Sequence, residues 1–179
     1  MKITHISCRY GVMKFDLNEF RAIYPIGGLY SDDISMFLFR VFLKFHPLPD
    51  VILDDETTVD VEIDSRFSNL GGVYIFTHSV HFNTSLSPYV FSYKGRPDAF
   101  ILKTIQDKGI KNSVVILDHP EAFLHPDHQY QMVNELWDLE PSNQYLIGTQ
   151  SYEICQPLTK YHIKEVDDVI HPKYPISRR

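Results

Sequence analysis

A continuous apolar run at residues 113–118 constrains the fold more than any other segment. It reads Ser-Val-Val-Ile-Leu-Asp and lacks the alternation of apolar and polar residues that marks a half-buried strand. A β-branched run that is covered on both faces is typical of a strand inside a parallel sheet. Ligands of such sheets bind outside the carboxyl ends of the strands, so the run predicts a functional edge at Asp118.

The segments that flank this run predict alternating strands and helices. Two helices are expected with a proline in the first turn, one from Pro97 to about Lys108 and one that begins at Pro126. An apolar strand at residues 144–148 follows the second helix, which gives the strand–helix–strand order of a parallel sheet. The predicted fold class is therefore α/β.

The N-terminal half predicts an antiparallel β portion and a buried helix. Residues 1–10 and 12–17 are strand-like on either side of Gly11 and predict a hairpin. Residues 34–45 carry apolar side chains at helical spacing and more of them on the opposite side, which predicts a helix that is buried on most sides. A second antiparallel pair is expected within residues 51–90, where apolar and acidic residues alternate.

Length, charge and cysteine content limit the classes of protein. The 179 residues are expected to form one domain, with residues 170–179 as an extended tail. There are 17 Lys plus Arg against 23 Asp plus Glu, and the net charge of −6 disfavours direct nucleic-acid binding by this chain alone. Two cysteines exclude a disulfide framework or a Cys-based zinc site. The most apolar stretch is too short and too charged to span a bilayer, and a cytoplasmic location is expected.

Residues 113–126 resemble the Walker B segment of ABC-type ATPases, in particular those of the RecF-like, chromosome-maintenance and overcoming-lysogenisation-defect groups. The family pattern is an apolar strand, then Asp-Glu-Pro-Glu, then Leu-His-Pro. Here the strand ends in Asp118, Pro120 and Glu121 follow at the family's spacing, and residues 124–126 read Leu-His-Pro. Residues 147–153 look like the family's switch segment, which usually reads Thr-Thr-His-Ser-Pro-Glu.

The segment that resembles the family's phosphate-binding loop spans residues 24–32, where relatives have Gly-Pro-Asn-Gly-Ser-Gly-Lys-Ser-Thr. In this register the glycines at positions 27 and 28, Gly27 and Gly28, remain as a nucleotide-binding remnant. Leu29 replaces a glycine, and Tyr30 replaces the lysine that contacts the β- and γ-phosphates. Ser31 remains as a magnesium-ligand position, together with Asp118.

Two further departures affect catalysis. His119 stands where the family has its general-base glutamate, and Gln150 stands where it has the switch histidine. Each of these losses is expected to lower the rate of phosphoryl transfer by orders of magnitude. The resemblance therefore implies a minimal ABC-ATPase-like P-loop head, without the family's coiled-coil arm, that has become a pseudo-ATPase. No cofactor or metal is expected; ATP and magnesium belong only to the alternative below.

The leading functional hypothesis is a binding or regulatory protein that forms a homodimer or pairs with a related active ATPase. The family's heads meet at the face that would carry Leu29, Tyr30, Tyr93 and Arg96, and aromatic residues are typical interface anchors. The alternative is an ATP-hydrolysing enzyme of DNA repair, recombination or phage defence. In that case Ser31 and Asp118 would hold magnesium.

Three roles are considered for the residues that follow the apolar run. In the ATP-hydrolysing alternative, His119 or Glu121 acts as the base. A zinc or manganese site is a separate hypothesis, in which His119, His125 and His128 act with Asp118, although their spacing matches no standard metal motif. If ATP is lost, the simplest role for Asp118 and Glu121 is to cap the turn and helix that follow.

Overall fold

Two β-sheets organise the protein. A computed structural model describes residues 1–17, 21–47, 59–67, 71–78 and 88–171. Its strands are β1 (Ile3–Cys8), β2 (Gly11–Lys14), β3 (Ile23–Gly27), β4 (Asp60–Ile63), β5 (Val73–Thr77), β6 (Val90–Ser92), β7 (Val114–Asp118), β8 (Gln144–Gly148) and β9 (Lys164–Glu165). Its α-helices are α1 (Ser31–Phe45), α2 (Pro97–Lys108), α3 (Pro126–Leu139), α4 (Tyr152–Cys155) and α5 (Asp167–Ile170), and 3-10 turns span Ser65–Phe67 and Pro120–Phe123.

The smaller sheet is antiparallel and has the order β2–β1–β4. The predicted N-terminal hairpin is confirmed, because β1 pairs with β2 in antiparallel register. The two strands expected to form an antiparallel pair within residues 51–90, β4 and β5, do not pair with each other. Strand β4 pairs with β1, whereas β5 joins the other sheet. Residues 51–58, 68–70 and 79–87 lie outside the described part of the chain.

The larger sheet has the order β6–β5–β7–β8–β3–β9, and every recorded pairing within it is parallel. This confirms the parallel α/β sheet and the central position of β7. Because β8 pairs with both β3 and β7, the carboxyl ends of these three strands lie side by side at one edge. The Gln144 side chain joins the two sheets, since it accepts a hydrogen bond from the Ile3 amide at 2.7 Å and donates one to the Ile3 carbonyl at 2.9 Å.

The parallel sheet is covered on both faces, as the run at residues 113–118 predicted. Val114 and Ile116 of β7 belong to a core that contains α1 and the smaller sheet. Val115 and Leu117 belong to a second core that contains α2 and α3. All four side chains are inaccessible to solvent, which explains why this strand carries no polar alternation.

Helix α1 lies over the carboxyl end of β8. Seven of its residues are buried, so the prediction of a helix buried on most sides is confirmed. A Cβ atom at Gly148 would lie 2.5 Å from Leu38 Cδ1 and 2.8 Å from Ile34 Cγ2, which means that the glycine allows the helix to approach the strand. This close approach brings the first two turns of α1 to the functional edge. Among the described residues, no helix has both the length and the apolar character that crossing a membrane requires.

Candidate functional site

The candidate site is built around Asp118, the last residue of the central strand. Its carboxylate is 1% exposed and accepts hydrogen bonds at both oxygens. Ser35 Oγ donates to Oδ1 at 2.6 Å, and Thr77 Oγ1 donates to Oδ2 at 2.7 Å. The imidazole Nδ1 of His119 lies 3.0 Å from Oδ1. Helix α1, strand β5 and strand β7 thus converge on one buried carboxylate, which does not cap the following turn.

Asp118 and His119 form a charge-coupled pair. Burial would raise the pKa of Asp118, but hydrogen bonds from His119, Ser35 and Thr77 outweigh burial and hold this pKa below 3.8. Burial would lower the pKa of His119, but the hydrogen bond to Asp118 and the nearby carboxylates of Glu121 and Asp32 raise it above 6.5. The lowered pKa of Asp118 and the raised pKa of His119 both favour an ionised carboxylate beside a protonated imidazole.

The backbone at His119 is unusual for a residue with a side chain. Its φ of 49° lies in the left-handed region, where non-glycine residues are uncommon. The conformation turns the chain sharply after β7 and keeps the imidazole beside Asp118. The far ring nitrogen, Nε2, is buried and has no hydrogen-bond partner among the described residues, and the same is true of Glu121 Oε2.

Gln150 links the loops that follow β3, β7 and β8. Its backbone amide donates to Glu121 Oε1 at 2.9 Å. Its side-chain Nε2 donates to the carbonyls of Gly28 and Leu29, both at 3.1 Å. The sequence-predicted site residues at positions 118, 119, 121 and 150 are therefore brought together. Glu121 binds a neighbouring loop and does not cap a helix; His125 caps α3, with its Nδ1 3.4 Å from the Asp127 amide.

The loop after β3 is closed by groups from the start of α5. The amide of Leu29 donates to Asp167 Oδ2 at 2.8 Å. A Cβ atom at Gly28 would lie 2.5 Å from Val166 Cγ1, so the backbone packs tightly against this segment. Tyr30 is the N-cap of α1 and makes no side-chain capping bond. Only residues 28–30 separate β3 from α1, which leaves a short loop where a phosphate-binding loop was predicted.

The serine beside Asp118 is not the one that the resemblance in sequence indicated. Ser35, rather than Ser31, contacts Asp118. The reason is that α1 begins at Ser31, and one further helical turn brings the residue at position 35 to the strand end.

A sequence signal for Ser35 exists. Gly28 and Ser35 have the spacing of the first glycine and the hydroxyl residue in the G-x-x-x-x-G-K-[ST] motif. In that register Asp33 stands at the second glycine and Ile34 at the lysine. Ile34 is fully buried, so this register also lacks the cation.

The predicted interface residues separate into exposed and buried ones. Leu29 is 75% exposed and Tyr30 is exposed as well. Arg96 has an exposed side chain that pairs with Asp98 at 2.8 Å. Tyr93 is 2% exposed, and its hydroxyl donates to the Asp118 carbonyl at 2.5 Å. The assignment of Tyr93 as a surface anchor is therefore wrong, because its side chain, directly after β6, is buried in the core that contains α2 and α3.

The histidines of the metal hypothesis do not converge in the described structure. His119 is buried beside Asp118, whereas His125 is exposed and lies 3.5 Å from Asp127. In the part of the chain that the structure describes, the one group of three residues with metal-ligand spacing consists of other residues, Asp33, Asp167 and His171.

A groove lies beside the closed loop, at the carboxyl ends of β3, β8 and β9. Its volume is about 660 Å³, which is in the range of small-ligand sites. Leu29 and Tyr152 stand on its rim, and Tyr152 is 71% exposed. Its polar lining includes Cys155, Lys160 and Glu165.

Comparisons with protein-family models, with curated proteins and with solved structures found no match. The fold class is α/β, with a six-stranded parallel sheet and a three-stranded antiparallel sheet. Function is therefore inferred from the chemistry of the carboxyl edge.

Proposed function

We propose that this protein is a catalytically degenerate ATPase-like head that acts as a binding or regulatory protein. In this proposal it associates with a second copy or with an active ATPase of the family that its motifs resemble. The observation that carries the proposal is that the chain's own side chains satisfy the groups that a nucleotide and its magnesium would use. ATP and magnesium are not part of the function.

The loop after β3 lacks the features that bind a phosphate group. A phosphate-binding loop presents free backbone amides to an anion at a helix N-terminus. Here the Leu29 amide is already bound to the Asp167 carboxylate. Asp32 and Asp33 add two carboxylates to the first turn of α1, and neither register of the loop contains a lysine. A triphosphate in this loop would be repelled by the carboxylates of Asp32 and Asp33. The Leu29 amide would not be free to bind it.

The surroundings of Asp118 are equally unsuited to magnesium. Mg²⁺ binds carboxylate oxygens in octahedral geometry and usually keeps several waters. Both oxygens of Asp118 are instead engaged by Ser35, Thr77 and His119, and the carboxylate is inaccessible to solvent. Binding the ion there would require these three hydrogen bonds to be rearranged in the core.

The binding role is supported by apolar side chains on the loops that follow three adjacent strands. Leu29 and Tyr30 follow β3, Phe123 follows β7 and Tyr152 follows β8, and all four are exposed. Large apolar residues that are exposed together at one edge are typical of a protein interaction site. These four residues are termed the apolar rim.

The test is the association of a rim variant. Leu29→Asp combined with Tyr30→Ala should weaken self-association, or co-purification with a related ATPase, by about 2 kcal/mol or more. The melting temperature should stay unchanged, because both side chains are exposed. Val12→Asp is the matched control, since Val12 is an exposed apolar residue on the smaller sheet. Unchanged association of the rim variant, measured by light scattering and co-purification, would contradict the proposal.

One observation favours the alternative function, an ATP-hydrolysing enzyme. His119 is held by a carboxylate at Nδ1, and its Nε2 has no hydrogen-bond partner among the described residues. Above its raised pKa, the neutral imidazole would accept a proton at Nε2, as a general base does. In this alternative, wild-type protein hydrolyses ATP and His119→Ala abolishes the activity. The absence of phosphate release by wild-type protein would exclude it.

A further inference from the structure

Three side chains that can bind a metal meet where the start of α1 faces α5. They are Asp33 in the first turn of α1, Asp167 at the start of α5 and His171 directly after α5. One ligand atom of each residue lies within 4.8 Å of the other two. The side chains are 35%, 25% and 50% exposed, so an ion can reach them from solvent. The sequence did not indicate this group, because its members are far apart in the chain.

The spacing of these ligand atoms matches the coordination sphere of a small ion. The imidazole Nε2 of His171 lies 3.5 Å from Asp33 Oδ2 and 3.6 Å from Asp167 Oδ1. Both distances exceed the length of a charge-assisted hydrogen bond, which is about 2.7–2.9 Å. A tetrahedral ion with ligand bonds of about 2.1 Å separates its ligand atoms by about 3.4 Å. An ion therefore fits between the imidazole and the two carboxylates without a large displacement of any of them.

One oxygen of Asp167 lacks the partner that a buried carboxylate oxygen normally has. Asp167 Oδ1 is buried and accepts no hydrogen bond from the described residues. The other oxygen, Oδ2, accepts a hydrogen bond from the Leu29 amide at 2.8 Å, and this bond fixes the orientation of the carboxylate. Metal-binding carboxylates are commonly oriented by such a second partner. The arrangement therefore suits Oδ1 to bind an ion that the His171 imidazole also faces.

The backbone that carries the ligands is tied to the parallel sheet. The Val166 amide donates to the Gly27 carbonyl at 2.8 Å, and Gly28 packs closely against the Val166 side chain. One helical turn separates Asp167 from His171, whose amide donates to the Asp167 carbonyl at 3.3 Å. Side chains four residues apart lie on the same side of a helix, and this is the spacing at which one helix supplies two metal ligands. The ligands are thus positioned before an ion binds.

We propose that Asp33, Asp167 and His171 bind a zinc ion. The two carboxylates balance the charge of a divalent cation when the imidazole is neutral. The imidazole favours zinc over magnesium and calcium, which prefer oxygen ligands. Three protein ligands leave a fourth position for water. The ion joins α1 to α5 and holds Asp167, which in turn binds the Leu29 amide. This site goes beyond the proposed pairing with another ATPase and does not depend on it.

Isothermal titration calorimetry of the full chain with zinc chloride at neutral pH, after treatment with a chelator, tests the site. Wild type should bind one ion per chain, and millimolar magnesium should not displace it. His171→Ala should lower the zinc affinity by at least about tenfold, because even the loss of an outer partner of a metal ligand costs about 10–100-fold. Asp33→Asn removes a ligand from a different helix and should have the same effect. Both side chains are partly exposed, so the melting temperatures measured in chelator should match that of wild type.

His125→Ala is the matched control. Its imidazole is exposed and lies 3.5 Å from Asp127, so it represents a histidine–carboxylate pair outside the proposed site. This variant should keep the zinc affinity of wild type, and zinc should raise the melting temperature of both but not that of His171→Ala. The absence of saturable zinc binding by wild type, or equal affinities of wild type and His171→Ala, would overturn the proposal. The test uses neither a nucleotide nor a partner, so its failure is distinguishable from failure of the proposed function.

Discussion

Ser35 Oγ donates a 2.6 Å hydrogen bond to Asp118 Oδ1, which joins the second turn of α1 to the end of the central strand. The carboxylate is buried, so each hydrogen bond to it is made where water cannot replace it. In the resemblance to ABC-type ATPases, a hydroxyl and an aspartate at these elements would share a magnesium ion. Here they bind each other.

Removing the Ser35 hydroxyl should destabilise the fold. Ser35→Ala leaves the buried Asp118 carboxylate with one donor fewer, and we expect the free energy of unfolding to fall by about 1–3 kcal/mol. Chemical denaturation measures the change. Ser7→Ala, at a half-buried position of β1, is the control and should change stability far less. Equal stabilities of Ser35→Ala and wild type would show that the contact does not support the fold.

The Asp118–His119 pair predicts a specific pH dependence. Because folding raises the pKa of His119, its stabilising contribution is fully present below about pH 6.5 and is lost as the pH rises through the higher folded-state pKa. The stability advantage of wild type over His119→Gln should therefore shrink as the pH rises above 6.5. His125→Gln is the control, since this imidazole is exposed. An advantage that grows with pH would contradict the assigned direction.

The Asp118–His119 pair also predicts how the stability of the fold changes in acid. The lowered pKa of Asp118 means that its contribution is present above about pH 3.8 and is lost as the pH falls through the lower folded-state value. Asp118→Asn should therefore be less stable than wild type at neutral pH, and the difference should decrease below pH 3.8. Denaturation curves at several acidic pH values test this, and a constant difference would count against it.

Close packing of α1 on β8 predicts that Gly148 tolerates no side chain. A Cβ atom there would meet Leu38 and Ile34 at distances well inside van der Waals contact. Gly148→Ala should lower the free energy of unfolding by about 1–3 kcal/mol, which is the usual effect of overpacking a core. A melting temperature equal to that of wild type would mean that α1 can move away from the strand freely.

Tyr93 should affect stability without affecting association. Tyr93→Phe removes the hydroxyl that donates to the Asp118 carbonyl and keeps the buried ring, so a loss of about 1 kcal/mol is expected. Self-association and co-purification with a related ATPase should match those of wild type. A weakened complex with unchanged stability would place Tyr93 back at an interface.

The sequence predicts those parts of the fold that depend on local patterns. The run that ends at Asp118 has the continuous apolar composition of a strand that is covered on both faces. In α1, apolar residues occupy nearly all sides of the helix. Both elements are therefore recognisable without tertiary information. The sheet membership of β5 is not local. Its five residues have the composition of a strand, but the pairing with β7, which is distant in sequence, decides which sheet they join.

In the candidate site, too, local sequence patterns predict some residues and not others. Asp118, His119, Glu121 and Gln150 follow strand ends, which is why sequence order places them at one edge. The sequence does not identify Ser35 as the hydroxyl that contacts Asp118, because a four-residue shift of the loop register changes which serine faces the strand. The contribution of Asp167 comes from a segment that lies more than a hundred residues after the loop it closes, and no local pattern connects the two.

The proposed function requires that side chains of the protein itself satisfy the contacts that a nucleotide would make. Isothermal titration calorimetry of wild-type protein with Mg-ATP tests it most directly. The occupied Leu29 amide, the sequestered Asp118 carboxylate and the missing lysine predict no saturable heat at millimolar Mg-ATP. Saturable binding with a dissociation constant in the low micromolar range would contradict the account.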